Sequence, residues 1–541
     1  MPQLVELVLL PGERHDEAAL QLKAARQADL RPDQVSHIEI LKSSLDARSR
    51  QPVYRVRAEV YGPQDIFRPE PAILAGFKPV ATQKKVIIVG AGPAGYFAAL
   101  ELLEQGIRPI VLDRGKDAQT RRRDLRAIQQ FGKVNPHSNY CFGEGGAGTY
   151  SDGKLYTRSI KRGDVRKALR LLVEHGAKSD ILTEAHPHIG SNKLPGVVQN
   201  IRATIQQFGG EVHFGQHVTD FILKNGRILG VATEKVQSTD EPTTNPFPPI
   251  EHSSGPTTTE WLADAVILAT GHSARDIYRL LHRKNIRIEA KPFALGVRVE
   301  HPQPLIDDIQ YKRQRSHELP AASYSLVCQI GHRGVFSFCM CPGGLIVPAA
   351  TAPGEIVMNG MSMSRRDSPF ANSGIVTAVE LEDLANWQRH GAFAAMQLQG
   401  EVEQRLFQAG DGSQKGPALR LPDFIAGKLS ATLPPSSYIP GLYPAPLFEL
   451  LPTFIYKRLR DGLAQFGRMM RGFHTSEANV VATESRSSAP VRIPRDPTTL
   501  MHPDVIGLFP TGEGAGYAGG IISAAMDGQR IARAVMVTLE N

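Results

Sequence analysis

Three groups of residues in this chain have types and spacings suited to chemistry. Gly90, Gly92 and Gly95 form a GxGxxG array, with Pro93 and Ala94 inside it. In such an array one glycine allows a tight turn, the next lets backbone approach a pyrophosphate, and the third lets a helix pack close to a strand. Asp113 lies 18 residues beyond Gly95, the place from which a carboxylate accepts hydrogen bonds from an adenosine ribose. Cys339 and Cys341 form a Cys-x-Cys pair ahead of Pro342-Gly343-Gly344. That pair reads either as a redox-active or flavin-facing dithiol or as two buried apolar cysteines at a strand end. The third group is cationic. Lys154 follows a glycine-rich loop and reads as a charge-compensating lysine or a surface one. Arg298 lies on an alternating strand with Glu300, and reads as a substrate-carboxylate ligand or half of a salt-bridged sheet face.

These residues need elements to hold them. Val86 to Val89 is a short, β-branched, apolar run, as a buried parallel strand should be. Tyr96 to Gln105 reads as the helix whose N–H groups face the phosphates, and Arg108 to Leu112 as the next strand. Far along the chain, Val505 to Phe509 reads as another strand. It runs into Thr511-Gly512-Glu513, a glycine run and a helix from Ile521 to Leu539. Glu211–Phe214, His217–Leu223 and Ile228–Thr233 read as a β-meander, and Asp264 to Gly271 as a buried strand ending in Ala-Thr-Gly. Leu384 to Gln408 is helical in pattern, with Gly391 and Gly400 as candidate interruptions, and Ser238 to Thr259 reads as a flexible excursion.

The order Gly-Ala-Gly-Pro-Ala-Gly followed by Asp113-Arg114-Gly115 resembles flavoproteins of the glutathione-reductase-type FAD fold. The resemblance implies FAD as cofactor. It assigns the diphosphate to Gly90, Gly92, Pro93, Ala94 and Gly95, the adenosine end to Asp113, Arg114 and Val218, and a close backbone pass to Thr270 and Gly271. Gly145 and Gly146 are to meet the flavin, Gly512 and Glu513 the ribityl chain, and Gly519, Gly520 and Ile521 the isoalloxazine. That superfamily more often has glutamate where Asp113 stands. A wider set of segments is similar to the long bacterial FAD-dependent dehydrogenases without known substrates. They are Ser44–Arg48, Gly145–Leu155, Lys291–Pro302, Cys339–Gly344, Asn359–Ser362, Glu484–Arg492 and Gly512–Gly520.

The expected fold is α/β with an α+β insert. It comprises a small N-terminal βαββ domain (1–75), an FAD-binding Rossmann-like domain (84–285 and 481–541) and an inserted substrate domain (286–480). The expected activity is that of an FAD-dependent oxidoreductase, a dehydrogenase or an NAD(P)H-driven reductase, with a small substrate, anionic or neutral, exchanging a hydride with the flavin. The alternatives are a flavin monooxygenase and a flavin-bearing redox sensor or electron-transfer protein. No second dinucleotide domain with its own clamp is read, so either the substrate reduces the flavin directly or NAD(P)H is a transient donor without its own domain.

Hydrophobic residues at 41% and charged residues at 21% are those of a globular protein. No apolar run is long enough for a membrane helix, Met1 to Leu10 carries Glu6 and does not read as a signal peptide, and four cysteines fit a reducing cytoplasm. Neither a membrane nor nucleic acid is expected as a partner. The net charge of +8 is concentrated between Arg114 and Arg170, where fourteen Lys or Arg face five Asp or Glu. That stretch reads as a solvated helix face or as an anion-attracting field at the cofactor mouth. His186-Pro187-His188 lacks a third ligand, and no metal is expected. Arg486 and Arg492 read as solvated surface arginines or as cations facing anions near the site.

Overall fold

The computed structural model describes residues 1–49, 51–80, 84–157, 163–236, 258–312 and 318–540. Most of the Ser238–Thr259 excursion lies outside them; Thr258–Leu262 is a strand.

The N-terminal unit is a three-stranded antiparallel sheet of Gln3–Leu9, Val53–Tyr61 and His37–Asp46, with Val53–Tyr61 in the centre. Strict alternation turns Val5, Leu7 and Leu9 inward onto helix Glu17–Gln27. Asp16 caps that helix, its carboxylate accepting the N–H groups of Ala18 and Ala19 at 3.0 and 3.1 Å. The unit docks on the rest of the chain through Ser43, whose N–H reaches the Thr183 carbonyl at 2.7 Å, and through an Arg14–Glu184 ion pair at 2.6 Å.

The second unit is a five-stranded parallel sheet. Its order is Leu508–Pro510, Ala265–Leu268, Lys85–Val89, Arg108–Leu112 and Glu211–His213. Val86, Ile87 and Ile88 are fully buried, as strands covered on both faces must be. Burying each such side chain contributes about 2 kcal/mol. Helix Pro93–Glu104 and the final helix Ile521–Glu540 pack together on one face. They approach so closely that a Cβ on Gly528 would strike the Ala94 carbonyl. A three-stranded antiparallel layer, Gln216–Lys224, Arg227–Lys235 and Thr258–Leu262, lies beside this sheet. Glu211–His213 is therefore the fifth parallel strand rather than the first of the meander: it pairs with Arg108–Leu112.

The insert is built on a seven-stranded sheet whose central strand, Phe293–Pro302, lies between Phe370–Val379 and Asn479–Glu484. Strand Asn479–Glu484 belongs to this sheet, so the insert extends past residue 480 and the chain rejoins the parallel sheet only at Leu508. The helical stretch at Leu384–Gln408 divides into a 3-10 segment, Leu381–Phe393, and an α-helix, Ala394–Gln408. Gly391, at φ 53°, makes the break, whereas Gly400 continues the helix. Among the described residues no helix is long and apolar enough to cross a membrane.

Candidate functional site

The carboxyl ends of the parallel strands meet the insert across a cleft of about 350 Å3. This is where open α/β sheets place ligands. Gly90 turns the chain out of strand Lys85–Val89 at φ 110°, and a Cβ there would run into the Ala269 carbonyl. Gly92 then caps helix Pro93–Glu104 in ordinary extended geometry, leaving the first-turn N–H groups aimed at the cleft. Asp113 is buried; its carboxylate accepts Ala91 N–H at 2.9 Å and Gly115 N–H at 2.8 Å, so it ties the two strand-end loops together beside the cleft.

The Gly143–Gly148 loop forms the next wall. Gly143, Gly145 and Gly146 all have positive φ, and the Gly145 N–H donates to the Ala91 carbonyl at 2.8 Å. The loop is gathered around Arg121, which is fully buried and donates to the carbonyls of Asn139 (2.7 Å), Gly143 (3.4 Å), Glu144 (2.9 Å) and Gly146 (3.0 Å). On the far side Asp527, in the final helix, accepts both the Thr511 hydroxyl at 2.9 Å and the Gly512 N–H at 2.8 Å, and pairs with Arg495 at 2.7 Å. The Tyr278 hydroxyl donates to the Gly514 carbonyl at 2.7 Å. Asp527 and Tyr278 fix the closing turn against the sheet.

The cleft is lined by Gly90, Gly92, Pro93, Ala94, Asp113, Arg114, Gly146, Val218, Thr270, Gly271, Gly512, Glu513, Gly519, Gly520 and Ile521, with Lys154 and Cys339 opposite. Gly95 and Gly145 lie behind that surface. A Cβ on the first would strike the Gly90 carbonyl, and one on the second the Thr149 hydroxyl. The residues present fit a flavin dinucleotide. A Cβ on Gly519, Gly520 or Gly271 meets nothing within 4 Å, and one on Gly92 meets only Gly146 Cα at 3.9 Å. These positions are bare backbone facing space large enough for a ligand. The Thr270 hydroxyl is buried there with no protein partner.

Arg298 does not line the cleft. It is fully buried beneath Cys339, its guanidinium bonded to Glu484 at 2.6 and 2.8 Å and to Asn372 at 2.6 Å. Alternation places it mid-strand in a sheet paired on both sides, so it cannot hold a substrate carboxylate. Arg486 is not a solvated surface residue either. It lines the cleft and is buried, pairing with Glu403 at 2.6 Å and Glu355 at 3.0 Å. Arg492 is exposed. Lys154 lies 3.5 Å from Asp152 and donates to the Met340 carbonyl. Part of the basic stretch is matched by distant acids: Arg170 meets Glu70, Lys167 meets Glu101 and Glu104, and Arg114 meets Asp276. Among the described residues no cluster suits a metal ion.

Sequence reasoning did not single out Arg121, Asp527, Tyr278, His272 or Glu484. Only Glu484 carried a signal, standing at the head of the Glu484–Arg492 segment. Glu513 and His272 face each other at 4.0 Å. Burial pushes Glu513 up to about 7 against the pull of Lys291, and burial holds the His272 imidazole down at about 4. Because Glu513 titrates higher in the folded state than in the unfolded chain, the folded state keeps a proton that the unfolded one has released. Its contribution to stability therefore falls as pH rises from about 4.5 to 7, by roughly 2 kcal/mol after allowing for solvent access, and levels off above. Glu513→Gln is expected to flatten that part of the profile in denaturant melts of flavin-free protein. An unchanged slope would remove Glu513 as its source.

Residues 292–487 match the family described as FAD-dependent protein, C-terminal domain-like. Residues 83–128 match the FAD binding domain family, and residues 1–61 match a domain of unknown function. The chain is 36% identical over 542 residues to an uncharacterized protein of Clostridium beijerinckii, with 96% of each chain covered. Among solved structures it is similar to a geranylgeranyl bacteriochlorophyll reductase-like protein of Thermoplasma acidophilum, at 12% identity and TM-score 0.34, covering 84% of this chain and 79% of that one. A flavoprotein/dehydrogenase of Cytophaga hutchinsonii gives 12% identity and TM-score 0.34, with coverage of 84% and 79%.

Proposed function

The chain belongs to the same family as the Clostridium beijerinckii protein, and on that footing we propose that it is an FAD-dependent oxidoreductase acting on a small molecule held between the parallel-sheet unit and the insert. The observation that carries this reading is the cleft itself. Two distant glycine segments, Gly90–Gly95 and Gly512–Gly520, converge on one cavity whose opposite wall comes from the insert. When bound, FAD supplies two-electron hydride chemistry at its flavin ring.

The chain's own groups set the surroundings of that chemistry. The N-terminus of helix Pro93–Glu104 offers free N–H groups and a positive dipole end to a diphosphate. Arg114, held by Asp276 at 2.9 Å and lying 4.6 Å over the Phe142 ring, adds a fixed cation at the Asp113 end. The start of helix Ile521–Glu540 presents Gly519 and Gly520 as bare backbone, which stabilises negative charge developing nearby. On the insert side Phe338 displaces water while Asn359 and Cys339 face the same space as Lys154. Glu513, neutral below about pH 7, is a proton donor within the cleft.

With one GxGxxG set in a strand–helix–parallel-strand unit, at Gly90–Gly95, the electron donor is the small substrate rather than a nicotinamide held in its own domain. The expected result is therefore slow or absent bleaching of the flavin band on anaerobic addition of NADH or NADPH. Bleaching within a second of mixing would instead make the protein an NAD(P)H-driven reductase.

A further inference from the structure

The insert places a second redox-capable group on the cleft. Strand Arg333–Cys341 runs regularly against Phe370–Val379 until Phe338, where the register shifts, and pairing resumes at Cys341 opposite Asn372. The bulge is made by Cys339, which sits at φ 46°, a left-handed conformation that a residue with a side chain rarely adopts. Its effect is specific. Instead of alternating away, Cys339 lines the cavity, while Cys341, two residues on, is fully buried. The Cys341 thiol also donates to the Cys339 carbonyl at 3.3 Å.

Two cations approach Cys339, each beside an acid: Lys154 with Asp152 and Arg298 with Glu484. Lys154 is anchored on the neighbouring Met340 carbonyl, and the buried Arg298 guanidinium reaches the Cys339 carbonyl at 3.4 Å. Of the other cysteines, Cys328 is buried outside the cleft lining; Cys141 lines the cleft and accepts from the Ser273 hydroxyl at 3.4 Å, but burial pushes its thiol up despite Arg486 and Arg121 nearby.

We propose that Cys339 and Cys341 form a redox-active dithiol that exchanges with low-molecular-weight disulfides entering the cleft, Cys339 as the attacking thiol and Cys341 as the resolving one. The Cys341 hydrogen bond, together with Lys154 and Arg298, holds the Cys339 thiol well below its ordinary range and leaves Cys341 above it, the division of roles that an attacking and a resolving thiol require. In the first step the Cys339 thiolate bonds to one sulfur of the disulfide, and the other sulfur leaves as a thiolate. In the second, Cys341 passes its proton to that departing thiolate and attacks the Cys339 sulfur, so that the protein disulfide forms and the second thiolate leaves. The dithiol is oxidised by two electrons and the small disulfide is reduced by two. Return to the dithiol takes two electrons and one proton from the reduced flavin, and this clause alone rests on the proposed function.

The test uses the purified, FAD-loaded full chain, pre-reduced and freed of reductant. It is treated anaerobically with glutathione disulfide, acid-quenched and peptide-mapped by mass spectrometry. The proposal expects the Cys339–Cys341 peptide to lose two hydrogens, Cys341→Ser to trap one glutathionyl group on Cys339, and Cys339→Ser to carry none on Cys341. In the unsubstituted protein, which avoids any folding defect of the variants, iodoacetamide at pH 6 should alkylate Cys339 roughly tenfold faster than Cys328, the gain in thiolate exceeding its lower nucleophilicity. An unoxidised pair, or a trapped adduct on Cys141 or Cys328 instead, would overturn the proposal. The flavin spectrum is read on the same samples. A protein that lacks flavin but oxidises the pair loses the FAD reading and keeps the dithiol. A yellow protein with an inert pair does the reverse.

Discussion

Gly92→Val is expected to leave the fold intact while weakening FAD binding by on the order of 100-fold or more, about 3 kcal/mol. Gly92 has φ −81° and ψ −176°, a conformation open to any residue, so the substitution introduces no backbone strain. Its Cβ would meet only Gly146 Cα, at 3.9 Å. The added side chain therefore projects into the cleft at the helix N-terminus, where the diphosphate must approach bare backbone. Gly90 behaves differently. Its φ of 110° and the Ala269 carbonyl behind it make Gly90→Val a folding defect first. Fluorescence titration of FAD into flavin-free protein, beside a thermal melt, separates the two effects. An affinity within threefold of the unsubstituted protein would show that the phosphates do not lie against Gly92.

Glu403→Gln is expected to lower global stability by about 3–5 kcal/mol, because it breaks a buried charge network and leaves a guanidinium uncompensated. Glu403 is fully buried. It accepts from Arg275 at 2.9 Å, from Arg486 at 2.6 and 2.9 Å and from the Ser485 hydroxyl at 2.5 Å. Glu355 joins the same two arginines at 2.8 and 3.0 Å, giving two cations and two anions in one cluster. The cluster links helix Arg275–Arg283, beside the parallel sheet, to helix Ala394–Gln408 of the insert, and Arg486 carries it to the cleft wall. The paired arginines hold the Glu403 carboxyl well below its usual range. Its stabilisation is thus complete above the unfolded value near 4.5 and is lost as pH falls toward the folded one. Denaturant unfolding at neutral pH measures the loss; a change under about 1 kcal/mol would mean the arginines find other partners.

What the sequence made legible was local. The Gly90–Gly95 turn, the flanking strands and the Gly512–Gly520 run announce themselves by residue type and spacing alone, although the atoms that demand glycine at Gly90 and Gly514 belong to the distant Ala269–Gly271 segment. Arg298 shows the limit. Alternation gave its face of the strand correctly, on the same side as Glu300, but not that Glu484 and Asn372 would close over it from the two flanking strands. The pairing of Asn479–Glu484 with Phe293–Pro302 set the end of the insert, and no local pattern reports a partner nearly two hundred residues away. Arg121 and Asp527 were missed for a related reason. Arg121 bonds to main-chain carbonyls, and Asp527 to a main-chain N–H and the Thr511 hydroxyl beside it, so only the folded loop gives them meaning. The charge surplus between Arg114 and Arg170 is answered in part by acids elsewhere in the chain, Lys167 by Glu101 and Arg170 by Glu70, which no local count reports.

The central claim is that the cleft between Gly90–Gly95, Gly512–Gly520 and the insert is one FAD site. The most direct measurement is to purify the full chain, remove unbound small molecules, unfold it and identify the released chromophore by chromatography against FAD and FMN. FAD is expected in about one equivalent per chain, or in full uptake on adding FAD to colourless protein. A chain that carries no flavin and takes up none, or one that holds FMN in preference to FAD, would contradict it.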